Sequence, residues 1–159
     1  MKYHMRRTER EMTDPGQLRE VLQGCKYVSL ALCRENEPYI VTMNYGYDEA
    51  QNALYLHCAQ EGLKLEFIAQ NPAVCGTAIE DRGYLHGECA HAFRSVVFWG
   101  ELYAVEELEE KKHAMQVLLD HLENDPDRVR EEQLKTDKAY ERVVILRLDM
   151  HEITGKEGR

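Results

Sequence analysis

Residues 38–72 read PYIVTMNYGY, DEAQN, ALYLHC and AQEGLKLEFIAQNP, and the reading of this stretch decides the fold. Tyr39 to Tyr47 alternates, with Tyr39, Val41, Met43 and Tyr45 on one side and Ile40, Thr42 and Asn44 on the other. A polar break at Asp48–Asn52 separates it from a second apolar run, Ala53–Cys58. Period-two alternation, a turn and a returning run predict a β-hairpin. The chain then passes Gly62 into a short helix, from about Glu61 to Gln70, closed by Asn71-Pro72. The start of a helix presents unpaired backbone N–H groups and the positive end of the dipole, and Lys64 adds a full charge there. The stretch therefore predicts a two-stranded platform with a phosphate seat beside it. A lysine in a first turn is ordinarily a solvated surface residue; its place directly after a strand and a glycine singles Lys64 out.

Working outward, Asp14-Pro15-Gly16-Gln17 opens a helix that Gly24 stops: Asp14 suits the cap, Pro15 the first helical position and Gln17 a capping box. Leu18, Val21 and Leu22 form its apolar face. Cys25–Cys33 is a strand in which Val28, Leu30 and Leu32 alternate with Tyr27, Ser29 and Ala31. Beyond the central stretch, Ala73–Glu80 is a fourth strand and Asp81–His91 a loop. Phe93–Val105 is a long strand whose Gly100 marks a bulge or bend. Glu106–Leu122 is an amphipathic helix on Leu108, Met115, Leu118, Leu119 and Leu122. Asp127–Tyr140 is a charged loop with a helical piece, and Arg142–Asp149 is the last strand. Residues 1–13 are a polar arm, flexible or docked on a neighbour, and residues 150–159 a polar tail.

Six short strands with helices at the edges predict one domain over residues 1–159. It is mainly β, a small six-stranded antiparallel barrel, closed or split. There is no βαβ rhythm, no G-x-G-x-x-G and no G-x-x-x-x-G-K-[ST], which argues against a Rossmann fold and a P-loop.

With 29 acidic against 20 basic residues the net charge is −9, which argues against nonspecific binding to nucleic acid or anionic membrane. No apolar run approaches the roughly 20 residues of a membrane helix, and the charged N-terminus has no signal-peptide core. The five cysteines, odd in number and without C-x-x-C spacing, suit a reduced, cytoplasmic protein, with four of them expected as buried thiols.

Few side chains suggest chemistry. His57 and Cys58 are adjacent in a strand and so point to opposite faces, which argues against a Cys–His nucleophile. His57 is then either an edge residue or a proton carrier. His86, Cys89 and His91 lie within six residues beside Glu88 but lack a fourth ligand at a recognisable spacing, so no metal site is predicted. Arg94-Ser95, at the head of the long strand, offers a second cation and a hydroxyl for the phosphate.

An ordered series of short pieces is similar to one family. Arg6-Arg7 before Glu11–Asp14, Tyr39-Ile40-Val41 with Asn44-Tyr45-Gly46-Tyr47, and Leu54-Tyr55-Leu56-His57 followed by Ala59, Gly62 and Lys64 belong to it. So do Asn71-Pro72 with Val74-Cys75, then Cys89, Arg94-Ser95-Val96-Val97 with Gly100, and Ile153-Thr154-Gly155-Lys156. The chain resembles the flavin-binding split-barrel proteins related to pyridoxamine 5'-phosphate oxidase, in particular their 5-nitroimidazole-resistance branch. The resemblance implies a homodimer with flavin mononucleotide (FMN) in a cleft between subunits. Val41, Thr42, Met43 and Asn44 would face the isoalloxazine ring. Lys64, with Ser95 and Arg94, would hold the phosphate, and His57, Cys58, Ala59 and Gly62 would lie near the ring or the phosphate arm. The chain departs from the pattern at Thr42, where proline is expected, at Cys58, where a small residue such as serine is expected, and at Gly76, where an aromatic is usual.

The function implied is an FMN-dependent oxidoreductase acting on a small molecule, with nitro-group reduction as its activity and His57 delivering a proton. The alternatives are a split barrel that carries or senses flavin or haem without turnover, with His57, His86 or His91 as axial ligand, and a structural dimer with a vestigial pocket.

Overall fold

The computed structural model describes residues 5–159. Its eight strands are β1 (Glu11–Met12), β2 (Tyr27–Arg34), β3 (Glu37–Asn44), β4 (Gly46–Asp48), β5 (Ala53–Cys58), β6 (Ala73–Leu85), β7 (Ala90–Val105) and β8 (Val144–Gly158). The helices are α1 (Pro15–Gly24), α2 (Leu63–Gln70), α3 (Leu108–Leu122), α4 (Pro126–Gln133) and α5 (Asp137–Glu141). All strand pairs are antiparallel, in the order β3-β2-β6-β7-β8-β5-β4, with β1 added to β8. The sheet curls without closing, so the barrel is split.

Alternation places the core. Val28, Leu30 and Leu32 of β2, Leu54 and Leu56 of β5, Val96 and Phe98 of β7, and Leu146 and Leu148 of β8 face inward and are buried. Helices α1 and α2 plug this interior with Val21, Leu22, Phe67 and Ile68. A second, smaller cluster lies on the outside of the barrel, where α3 covers Tyr55, Val105 and Ile145 with Ala114 and Leu118. A row of polar groups fastens α3 there. Arg147 bonds Glu110, Tyr55 and Asp149, and Asp48, buried, holds His113 at 2.6 Å. Burial pushes the Tyr55 hydroxyl up to about 12, partly offset by the neighbouring Arg147.

Several boundaries differ from expectation. The predicted Tyr39–Tyr47 strand breaks at Tyr45, whose buried ring packs at a tilt against His121 and whose hydroxyl donates to the Leu22 carbonyl. Asp14 caps α1 by accepting from Gly16 N at 2.9 Å. The expected loop at residues 81–91 is mostly strand, with only the turn at residues 86–89 between β6 and β7. The expected C-terminal tail is strand as well, because β8 runs on to Gly158 against β7. Of the expected N-terminal arm, residues 1–4 lie outside the described residues. The remainder docks on its own chain, with Met5 and Met12 buried and β1 paired to Lys156 and Gly155. Gly100 marks a bulge as expected: Trp99 opposes Glu152 while Gly100 opposes Met150, which leaves His151 as the extra residue.

Candidate functional site

In a β-ladder directly opposed residues share a face, so the register maps the outer surface of β3, β2, β6, β7 and β8. One row across it is Thr42, Ser29, Thr77, Val97 and Thr154. A second is Ile40, Ala31, Cys75, Trp99 and Glu152, and on the other side Asn44 opposes Tyr27 while Ile79, Ser95 and Lys156 form a line. Among the described residues no helix lies on this part of the sheet. Tyr27 is 61%, Ile40 68% and Ile79 56% exposed, and all three belong to this one face. The Ser29–Thr42 pair lies between Ile40 and Tyr27, so the exposed apolar side chains are spread over this face rather than joined in one patch.

The expected site residues divide over three places. Thr42, Asn44 and Ser95 lie on the uncovered outer face, where the Thr42 and Ser29 hydroxyls are 2.8 Å apart and Asn44 Nδ2 donates to the Lys26 carbonyl. Val41 and Met43 alternate to the inner side and pack, half-buried, against the core.

Cys58, Ala59, Gly62 and Lys64 sit at the end of β5 and the start of α2. A side chain at Gly62 would meet Lys64 Nζ at 3.8 Å, so the ammonium folds back over the helix start. Burial raises the Cys58 thiol pKa, and the Lys64 charge partly opposes that rise. Lys64 forms no ion pair among the described residues.

His57 points the other way from Cys58, onto the face of Tyr55. It is exposed and without a hydrogen-bond partner among the described residues. It therefore does not meet Cys58 on one face.

Arg94 is engaged within its own chain. It shares the inner face with Val96 and is committed to two carboxylates, with Nε 2.7 Å from Glu80 and NH1 2.9 Å from Glu20. These bonds clamp α1 to β6 and β7, and they hold the Glu80 carboxyl below its ordinary range. Adjacent strand residues diverge, so the Arg94 and Ser95 side chains leave β7 on opposite faces.

The cysteines also depart from expectation. Cys33 and Cys89 are exposed, and Cys25, Cys58 and Cys75 are half-buried. At the β6–β7 tip His91 bonds Asp81 at 2.6 Å while His86 lies edge-on to Tyr84. Among the described residues no three side chains of metal-binding type converge. Gly76 has a simple cause: a Cβ there would lie 2.4 Å from the ring of Phe98, which fills that part of the core from the paired strand. Ser29, Thr77, Thr154 and Lys156 share the face of Thr42 and Ser95, which the register reveals and the sequence alone does not.

The model of the pyridoxamine 5'-phosphate oxidase family matches residues 14–157. The chain belongs to this family. The match spans every strand of the family's split barrel except β1, and it includes both the α2 turn and the outer face. A candidate 5-nitroimidazole antibiotic resistance protein from Bacteroides thetaiotaomicron is similar at 26% identity, over 93% of this chain and 86% of that one, with a TM-score of 0.77. An FAD-binding protein from Mesorhizobium loti is 22% identical over 94% and 96%, with a TM-score of 0.66. An FAD and heme binding protein from Mycobacterium smegmatis is 17% identical over 94% and 74%, with a TM-score of 0.78. The last two share the fold of the pyridoxamine 5'-phosphate oxidase family. A search of curated proteins found no match. Among the described residues no helix is long and apolar enough to cross a membrane.

Proposed function

We propose that the protein is an FMN-dependent oxidoreductase that works as a homodimer, with the flavin held between the uncovered sheet face of one subunit and the α2 turn of the other. The observation that carries this reading is the separation of its two polar clusters. Cys58 lies next to the row His57–Ile145–Val105, and Ser95 stands ten residues before Val105 on β7. At about 3.3 Å per residue that is roughly 30 Å of strand. Lys64 and Ser95 therefore sit toward different ends of β7, which supports a ligand that takes one residue from each of two subunits.

The residues fit such a ligand. Lys64, unpaired at a helix start, suits the phosphate. Hydroxyl and amide groups at Thr42, Asn44 and Ser95 suit hydrogen bonding to a planar heterocycle and its ribityl chain. The apolar side chains around them suit exclusion of water, as a second subunit would provide. The bound flavin would supply hydride chemistry at its N5 position, and the protein would orient it and keep the cleft dry. His57, free of internal partners, is the group proposed to deliver a proton. A nitro compound is the proposed substrate, supported by the likeness to the candidate 5-nitroimidazole resistance protein.

The test is an absorption spectrum of gently purified protein, repeated after addition of FMN and desalting, together with the mass in solution. A dimer that retains a two-band flavin spectrum supports the reading, and donor and nitro-substrate assays follow from it. A sharp Soret band would favour the haem carrier instead, and a colourless protein that takes up no flavin would leave a structural dimer.

A further inference from the structure

We propose that the cavity at the β7–β8 bulge binds a flat, positively charged nitrogen heterocycle, stacked on the ring of Trp99 and held by the carboxylates of Glu101 and Glu152. The cavity has a volume of about 380 Å³ and is lined by these three residues together with Gly100 and His151. That volume is within the range of small-molecule sites, roughly 300–1,000 Å³. The bulge shapes it. Trp99 opposes Glu152 and Gly100 opposes Met150, so His151 is an extra residue on β8. The two backbones run so close there that a Cβ at Gly100 would lie 2.0 Å from the Asp149 carbonyl oxygen. Phe98 is buried in the core, so alternation turns Trp99 and Glu101 to the outer face of β7.

The lining selects its ligand by charge and shape. Glu152 is half-buried opposite Trp99, and Glu101 lies 3.9 Å from His151 Nε2. Among the described residues neither lysine nor arginine lines the cavity. The face of an indole ring attracts a cation, and it does so more strongly than any other side-chain ring. Two carboxylates beside that face add to the attraction and repel phosphates and carboxylic acids. A flat ring also gains by offset stacking on the indole, which a compact ammonium forgoes. A cationic heterocycle uses all three groups at once, whereas a neutral one of the same shape forfeits the carboxylates. The row Ile40, Ala31, Cys75, Trp99 and Glu152 borders the row through Thr42, Ser29, Thr77, Val97 and Thr154. Under the function proposed above, the heterocycle would therefore be a substrate beside the flavin; that role rests on that reading, and binding in the cavity does not.

Trp99 is the only tryptophan of the chain, so tryptophan fluorescence reports on this cavity. The test is titration of the full chain with the 1-methylnicotinamide cation and with neutral nicotinamide, which shares its ring, followed by fluorescence and by calorimetry. The proteins are the wild type, Glu152→Gln, Glu101→Gln and the exposed-charge control Lys135→Gln, each first checked for an unchanged melting temperature. We expect the cation to saturate and nicotinamide to bind roughly tenfold or more weakly. Each carboxylate variant should weaken the cation about threefold, while Lys135→Gln is silent. Quenching that rises linearly without saturation, equal affinities for the two probes, or a cation affinity that neither carboxylate variant changes would overturn the site. Should Glu152→Gln melt early, Glu101→Gln, whose side chain is 58% exposed, decides the matter. The titration adds no flavin. A protein that binds the cation but takes up no FMN keeps the cavity and loses the proposed function, and the converse result keeps the function and loses the cavity.

Discussion

Lys64 and Ser95 lie toward different ends of β7, one folded over the start of α2 and the other on the sheet face that no helix covers among the described residues. Under the proposed function, a ligand that contacts both is shared by two chains. The exposed side chains of Tyr27, Ile40 and Ile79 are the surface on which a second chain would sit. A charge placed there should cost little in the monomer, since surface substitutions usually stay within about 0.5 kcal/mol. Ile79→Glu is expected to melt within a few degrees of wild type, sediment as a monomer and lose FMN affinity at least tenfold. Sedimentation and a flavin titration on the same sample check this; a monomer with unchanged flavin affinity would refute the shared site.

Arg94 is a structural clamp, so its loss should appear in stability and not in ligand affinity. Arg94→Met removes one of the two cations of Glu80, leaving Arg82 at 3.1 Å, and strips Glu20 of its partner, a cost of about 1 kcal/mol. FMN affinity should stay within about twofold. Chemical denaturation with a parallel titration separates the two effects.

The same clamp has a pH signature. Glu80 is held below its ordinary carboxylate range by Arg94 and then Arg82. A depressed folded value means that the stabilisation is fully present above the unfolded value and fades as pH falls through the folded one. Because Glu80 is partly exposed, the effect is modest. The gap in melting temperature between wild type and Glu80→Gln should be constant near neutrality and shrink in acid. A gap that stayed constant down to pH 3 would remove Glu80 from the clamp.

Cys58 reports on Lys64. Burial raises its thiol and Lys64 opposes that rise, while Cys33 and Cys89 are exposed. At mildly alkaline pH, alkylation followed by mass spectrometry should label Cys33 and Cys89 first and Cys58 later. Lys64→Ala should slow Cys58 further, since less thiolate is present. Unchanged Cys58 kinetics in that variant would separate the two side chains.

His57 is exposed, unpartnered and turned away from Cys58. If it delivers a proton, His57→Ala should lower turnover about tenfold or more and leave FMN affinity nearly unchanged. Normal turnover would end that role.

The barrel was legible where burial imposes a period. Val28, Leu30 and Leu32 alternate because one face of β2 meets the core, and the pattern is visible residue by residue. It was illegible where pairing rests on backbone alone: residues 151–158 are polar and glycine-bearing, yet they form strand because β7 supplies their hydrogen bonds. The site was legible as a set of residue types and not as an arrangement. Arg94 and Ser95 are adjacent in sequence and opposed in space, whereas Ser95 and Lys156 are distant in sequence and paired. No spacing rule carries that information; strand register does. Gly76 looked anomalous only because the ring that compensates it, Phe98, comes from the opposing strand.

The shared site is tested most directly by mixing two defective proteins. Lys64→Ala and Ser95→Asp, each impaired in FMN binding alone, are denatured together, refolded and titrated with FMN. If each site takes Lys64 from one subunit and Ser95 from the other, the mixed dimer contains one intact site and one doubly defective one, and a class of sites with wild-type affinity returns, about one per mixed dimer. If both residues serve the same site from one chain, every site keeps a defect, no high-affinity class appears, and the account of the flavin between subunits is contradicted.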